Sequence, residues 1–359
     1  MKRKRKYKKP ELIKIELEFK ELIRSTTGGG CPSLYRWDGK EFVEENNILP
    51  QSERLSFFKR TIRDFYLLQK KPSVRQKSLH FKIKESELEV SYFKKFELWT
   101  IEYPRGYNLG VSNLGEPVLF KQPVLPLEAI DNQGEDRLFE LSSFNWIAPN
   151  TYYSSTPGDV LDLTFENLNG SSLKLIIVDP ISLDDLMKKA YAGCCPNIGA
   201  QLKESIHVIL EGVGEITVVC SRKNFYPEII DLTPFKEKLK NKSVIKIRLA
   251  FTSFHKVCFV GLDATPQIPL KVNRYNLQKA YHTGIGEVTS LLTQEDESYV
   301  KLIPGEELDL YFPVPKFSNK NANQEIGYML LTTGYYLPIT KIIRVNNYLA
   351  SSSYLSAQV

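Results

Sequence analysis

The sequence contains no run of about 20 consecutive apolar residues, the length a membrane-spanning helix needs, so no transmembrane segment is expected. Cysteine is sparse and odd in number: Cys31, Cys194, Cys195, Cys220 and Cys258. With one adjacent pair among them, they do not make a disulfide framework. Zinc is disfavoured as well, because no CxxC occurs and the histidines at 80, 207, 255 and 282 lie far apart. HExxH, GxSxG and P-loop patterns are also missing. GIGEVT (284–289) has two glycines of a dinucleotide motif without the third, and reads as a turn.

Acid is absent from the first nine residues, MKRKRKYKK, which hold seven Lys or Arg. The net charge of +6 is therefore the tail's, and the rest of the chain is close to neutral. Such a tail can contact anionic surfaces, but no specific nucleic-acid surface is implied for the body. Residues 1–30 lack the apolar core of a secretory signal, since Lys and Glu interrupt every apolar pair of PELIKIELEFKELI. Three readings stay open for this short helical leader: a solvated basic tail, an amphipathic docking helix through Leu12, Ile15, Phe19, Leu22 and Ile23, or a removable export leader ending at Gly28-Gly29-Gly30. Export would place the body in the envelope or outside the cell; the first reading leaves it in the cytoplasm.

What the chain does have is β pattern. LHFKIKESELEVSYFKKFELWTI (79–101), VLDLTFEN (160–167), LKLIIVD (173–179), ITVVCS (216–221), SVIKIRLAF (243–251) and ELDLYFPV (307–314) alternate or form β-branched runs between Gly, Pro and Asn clusters. Only residues 10–24 and SLDDLMKKAYAG (182–193) favour helix. An all-β chain follows.

The chain also repeats itself. PGDVLDLTF (157–165) and PGEELDLYF (304–312) share Pro, Gly, Leu, Asp, Leu and Phe. KSLHFKIK (77–84) parallels KSVIKIRL (242–249) from their shared Lys-Ser, and PVLPLEA (123–129) parallels PQIPLKV (266–272). Three landmarks in one order predict two tandem β-sandwich units of jelly-roll or galactose-binding-like type, spanning 31–180 and 181–345. A C-terminal tail covers 346–359.

CPSLYRWDGKEFVEENNILPQSE (31–53) resembles the opening of a poorly characterised group of archaeal and bacterial β-sandwich proteins. The resemblance continues through ESELEVSYFKKFELWTIEYP (85–104), FTSFHKVCFVGLDATPQIP (251–269) and PGEELDLYFPVP (304–315), so it covers nearly the whole body. It implies an envelope or extracellular protein and brings no activity with it. This chain departs from the group in lacking a signal peptide and in having Cys258 where Asp is expected. IKIRLAFTSFHKVCFVGLD (245–263) is also similar to a strand pair of galactose-binding-like jelly rolls, which implies carbohydrate at the level of fold alone.

Candidate site residues follow from side-chain chemistry. Tyr152, Tyr153, Tyr335 and Tyr336 occur as pairs in PNTYYSSTPGD and TTGYYLP, where an aromatic ring serves either the core or a ligand. In DNQGED (131–136), Asp131 and Asp136 offer hard oxygens for calcium, although a plain polar turn uses the same residues. No other cofactor is expected. His255 and Cys258, three apart at a strand bend, read as structural rather than as a catalytic pair. The Trp37-Asp38-Gly39 stretch reads as a tight hairpin turn. The expected function is a non-enzymatic binding or surface protein recognising a carbohydrate or protein partner through loops at the sandwich ends. Two alternatives stand beside it: an enzyme or enzyme accessory acting on glycans or peptides, and a structural assembly protein of the cell envelope whose edge strands pair between subunits.

Overall fold

The computed structural model describes residues 32–49, 61–86, 89–143, 151–168, 170–179, 205–220, 226–252, 254–293, 298–317 and 323–338. The leader over 1–30, the helical segment 182–193 and the tail 346–359 lie outside the described residues. Among the described residues, twenty-four strands follow one another. The first six are β1 (Ser33–Trp37), β2 (Phe42–Asn47), β3 (Ile62–Leu67), β4 (Val74–Arg75), β5 (Ser78–Lys84) and β6 (Glu89–Pro104). Next come β7 (Asn108–Val111), β8 (Pro117–Phe120), β9 (Glu128–Asp131), β10 (Tyr153–Ser155), β11 (Val160–Glu166) and β12 (Lys174–Val178). The third group is β13 (Ser205–Leu210), β14 (Gly214–Cys220), β15 (Pro227–Asp231), β16 (Val244–Phe251), β17 (His255–Val257) and β18 (Phe259–Asp263). The last is β19 (Lys271–Asn276), β20 (Lys279–His282), β21 (Gly286–Glu287), β22 (Val300–Leu302), β23 (Glu307–Pro313) and β24 (Gln324–Pro338). Among the described residues, helix is confined to Lys236–Leu239 and two 3-10 turns, so the chain is all-β.

The described strands form six sheets, four of which share two cores, two sheets to each core. In the first pair, a sheet ordered β2-β1-β5-β23-β20-β21 faces one ordered β19-β6-β24-β3. Leu34, Phe81, Ile83, Leu310 and Phe312 from one sheet meet Phe93, Phe96, Leu98 and Leu330 from the other. In the second pair, β14-β13-β16-β11-β9 faces β15-β12-β18. Leu163, Phe165, Val208 and Ile247 there meet Leu175, Ile177, Ile230 and Leu262. In β11 and β23 alternate residues point to the core, as the period-2 pattern of L-D-L-x-F requires.

The way the strands pair departs from the expected succession of units at 31–180 and 181–345. Strand β5 pairs with β23, and β6 with β24 along its whole length. Strands from residues 33–104 thus close with strands from 271–338. Those from 128–178 close with strands from 205–263, β11 on β16 and β12 on both β15 and β18. Each core takes one part from either half of the chain. Alternation shows which residues face inward, but it does not say which strand lies alongside.

The two pairs nevertheless share one plan. In the first, Leu308, Leu310 and Phe312 lie opposite Ile83, Phe81 and Leu79. In the second, Leu161, Leu163 and Phe165 lie opposite Leu249, Ile247 and Ile245. A hairpin flanks each arrangement on one side: β1–β2 beside β5, and β13–β14 beside β16. Both hairpins carry a register shift at the same place, after Leu34 (opposite Ile83) and after Val208 (opposite Leu249). On the other side Ala280 lies opposite Leu310, and Ala129 opposite Leu163.

This register corrects two sequence alignments. Phe81 holds the place of Ile247, so matching Lys77-Ser78 to Lys242-Ser243 is out by one residue and would turn every side chain to the wrong face. Residues 123–129 correspond to RYNLQKA (274–280), not to PQIPLKV. The amides of Leu127 and Gln278 donate to Thr164 and Tyr311, which occupy the same place in the two repeated strands.

The hairpin β7–β8 lies between the pairs. Leu109, Val111 and Leu119 pack on Trp99, Ile101 and Met329 of the first pair. Val118 and Phe120 pack on Ile176, Ile229 and Phe259 of the second. The expected turn at Trp37 forms: Asp38 Oδ1 accepts from the amides of Lys40 and Glu41, and Gly39 takes φ of +114°.

Candidate functional site

Two turns at one end of the second sheet pair make a polar cleft of about 240 Å³. The first follows β9. Asp131 Oδ1 accepts from the amides of Gln133 (2.8 Å) and Glu135 (3.0 Å), and Gly134 takes the positive φ that closes the turn. Arg137 then reaches back, with Nε at 2.8 Å and Nη2 at 2.7 Å from Asp131 Oδ2. Its third nitrogen, Nη1, lies 3.4 Å from Glu140 Oε1.

The second turn joins β10 to β11 at Pro157-Gly158. Asp159 Oδ2 accepts from the Thr156 amide (2.7 Å) and hydroxyl (3.0 Å). Asn132 Nδ2 donates to Asp159 Oδ1 at 3.4 Å and ties the two turns together. Tyr152, Tyr153, Ser154 and Gln133 complete the lining.

Burial of Asp131 opposes its ionisation, but the Glu135 and Gln133 amides and the Arg137 guanidinium outweigh it and hold the carboxyl below its ordinary pKa. Both its oxygens are thereby taken by the protein, as is Asp136 Oδ1, which accepts from the Leu138 amide at 3.0 Å. These were the expected calcium ligands. Among the described residues, no group of three or more His, Cys, Asp or Glu is placed to hold a metal ion.

The tyrosine pairs split as strand neighbours do. Tyr152 is 43% exposed, and Lys256 Nζ lies 4.6 Å from its ring centre. Tyr153 turns inward against Phe251, and burial, reinforced by Asp159 and Asp131, pushes its phenol up to about 12. Tyr335 is half-buried at the surface and stacks on Tyr92 at 4.7 Å, whereas Tyr336 belongs to the first core and offers no platform. Of the four expected ligand residues, the cleft gathers Tyr152 and Tyr153 and leaves Tyr335 and Tyr336 in the other sheet pair.

His255 and Cys258 face separate partners. His255 Nδ1 lies 2.6 Å from the buried Asp179 carboxylate, while the Cys258 thiol points to the Val178 carbonyl. Burial, with Asp179 nearby, pushes that thiol up to about 12, so it stays protonated at neutral pH.

Sequence reasoning missed Lys256, which sits beside Tyr152 across the β10–β17 pairing, as well as Tyr92 and Tyr299 in the first sheet pair. The signal for these is their register in the repeated plan, visible only once the strands are paired.

No family model and no curated protein matches the sequence. Among solved structures, a rhamnosidase from Novosphingobium sp. PP1Y is similar at 13% identity and a TM-score of 0.22, a likeness too low to carry an argument. The match covers 87% of this chain and 25% of that one, so this chain spans about a quarter of that protein's length.

Proposed function

We propose that this chain is a non-enzymatic carbohydrate-binding protein made of two related β-sandwich units, with its sugar held in the cleft around Tyr152. The observation that carries this reading is an exposed aromatic ring set among polar side chains that are held in place by hydrogen bonds to one another and to the turns. A neutral sugar presents C–H faces that pack on an aromatic ring and hydroxyls that need donors and acceptors at fixed positions. An anionic ligand would need a cation free to meet it. Arg137 is instead committed to Asp131 and Glu140, and Asp159 to the turn beneath it. With three carboxylates to one guanidinium in its lining, the cleft disfavours an anionic ligand, and its turns offer directional hydrogen bonds. The shared register of the two sheet pairs supports descent of both units from one duplicated sequence.

A glycan array tests the reading. The full chain is expected to bind a subset of neutral glycans, and Tyr152→Ala to weaken that binding at least tenfold, about 1.4 kcal/mol, with an unchanged unfolding midpoint. Binding to no glycan, or binding indifferent to the loss of Tyr152, would overturn it.

A further inference from the structure

The first sheet pair contains counterparts of Tyr152 and its strand neighbour Lys256. Tyr153 lies opposite Val257 in the β10–β17 pairing, and Val300 lies opposite Phe93 in the β22–β6 pairing. Val257 and Phe93 hold the same place in the shared plan, because each is followed after the same number of residues by a matched leucine, Leu262 opposite Leu175 and Leu98 opposite Leu330. Tyr299 is thus the counterpart of Tyr152, and Tyr92 the counterpart of Lys256.

The contacts repeat with the places. Lys256 lies over the Tyr152 ring; Tyr92 meets the Tyr299 ring edge-on at 6.5 Å. In the turn before the L-D-L strand, Glu306 accepts from the Ile303 amide at 2.9 Å, as Asp159 accepts from the Thr156 amide. A third ring, Tyr335, stacks on Tyr92 and lies edge-on to Tyr299 at 5.5 Å. All three tyrosines are half-buried, so each ring keeps an edge or face at the surface. The hairpin β7–β8 covers the other end of this sheet, around Trp99 and Ile101.

We infer that the Tyr92, Tyr299 and Tyr335 cluster is a second saccharide site, so that one chain holds two sugars at equivalent ends of its two sheet pairs. This rests on the sugar reading of the Tyr152 cleft. The first-pair site is the more aromatic: Tyr92 stands at the place of Lys256, Lys94 Nζ lies 5.6 Å from the Tyr299 ring centre, and Tyr335 adds a ring with no counterpart among the residues described around Tyr152. Stacking thus contributes more there. Two sites on one chain let a polymeric glycan be held by avidity without either site being tight alone.

Titration calorimetry of the full chain with cellobiose, lactose and mannobiose tests this. At least one is expected to bind with two sites per chain. Tyr152→Ala and Tyr92→Ala should each leave one site, and the double variant none. The wild-type stoichiometry reads the inference without any substitution, so it stands even if a variant folds poorly. A stoichiometry of one that Tyr152→Ala abolishes would overturn the second site and leave the cleft reading intact. No binding of any of the three disaccharides would count against both.

Discussion

Lys174 is almost fully buried, and its Nζ lies 3.0 Å from the equally buried Asp263 Oδ1. It also donates to the Ser172 hydroxyl at 3.1 Å and the Thr265 carbonyl at 2.8 Å. Burial pushes the amine's pKa down, and the Asp263 carboxylate opposes that shift. Asp263 in turn accepts from the amides of Lys121 and Thr265. At the same place in the first sheet pair, Met329 lies opposite Trp99, and both are buried. One unit thus fills the position with apolar side chains and the other with an ion pair. Breaking such a pair costs more than never having made it, because the remaining charge stays dry. Lys174→Met is expected to lower stability by about 3–5 kcal/mol, by analogy with other broken buried pairs. Urea unfolding measures it, and a loss below about 1 kcal/mol would mean that the other donors around Asp263 suffice. A sequence reader sees one Lys in a strand and has no reason to bury it.

The hairpin β7–β8 decides how closely the two sheet pairs approach. A Cβ on Gly110 would run into Ile229 Cδ1, and one on Gly327 in β24 would run into Leu109 Cδ2. Both glycines are therefore points of close approach, the first against the second sheet pair and the other against the hairpin. Gly110→Ala overpacks this contact and is expected to cost about 1–3 kcal/mol. Ile229→Val removes the obstructing methyl and costs about 0.5–1.5 kcal/mol alone. The double variant should then cost clearly less than the two together, a coupling that a double-mutant cycle in urea reads. Additive costs would show that the tip of Ile229 simply swings aside.

Much of the strand inventory was legible because its cause is local: alternation in L-D-L-x-F, the Asp-Gly turn after Trp37, and the breaks at Pro-Gly. The outward turn of Tyr152 and inward turn of Tyr153 follow from the same alternation. The partners of these strands were not legible, since β5 and β23 meet across most of the chain. For the same reason the Lys-Ser landmark gave a register one residue out. The tyrosine clusters share this limit. Tyr92, Tyr299 and Tyr335 become one group only when β6, β22 and β24 lie side by side.

At the scale of the whole molecule, each core depends on residues from both halves of the chain. A fragment ending at residue 180 keeps β5 and β6 but loses β23 and β24, which cover them. It keeps β11 and β12 but loses β16 and β18. Phe81, Phe93, Leu163 and Leu175 would all face water where a partner strand should be, and exposed strand edges of that kind pair between molecules. This fragment is expected to aggregate or stay unfolded. A fragment of residues 121–266 holds the strands of the second core, β9 through β18, and gives up its contacts with the hairpin and the stacking of Tyr226 on Tyr66 of the first core. It is expected to fold, with a cooperative thermal transition by circular dichroism and a reduced midpoint from the exposed Ile176, Ile229 and Phe259. A folded 1–180 fragment alongside an unfolded 121–266 fragment would restore the tandem succession of units and remove the nested one. The opposite result would mean that the second core stands on its own between the two parts of the first, its strands meeting through nearer contacts than β5 and β23 do.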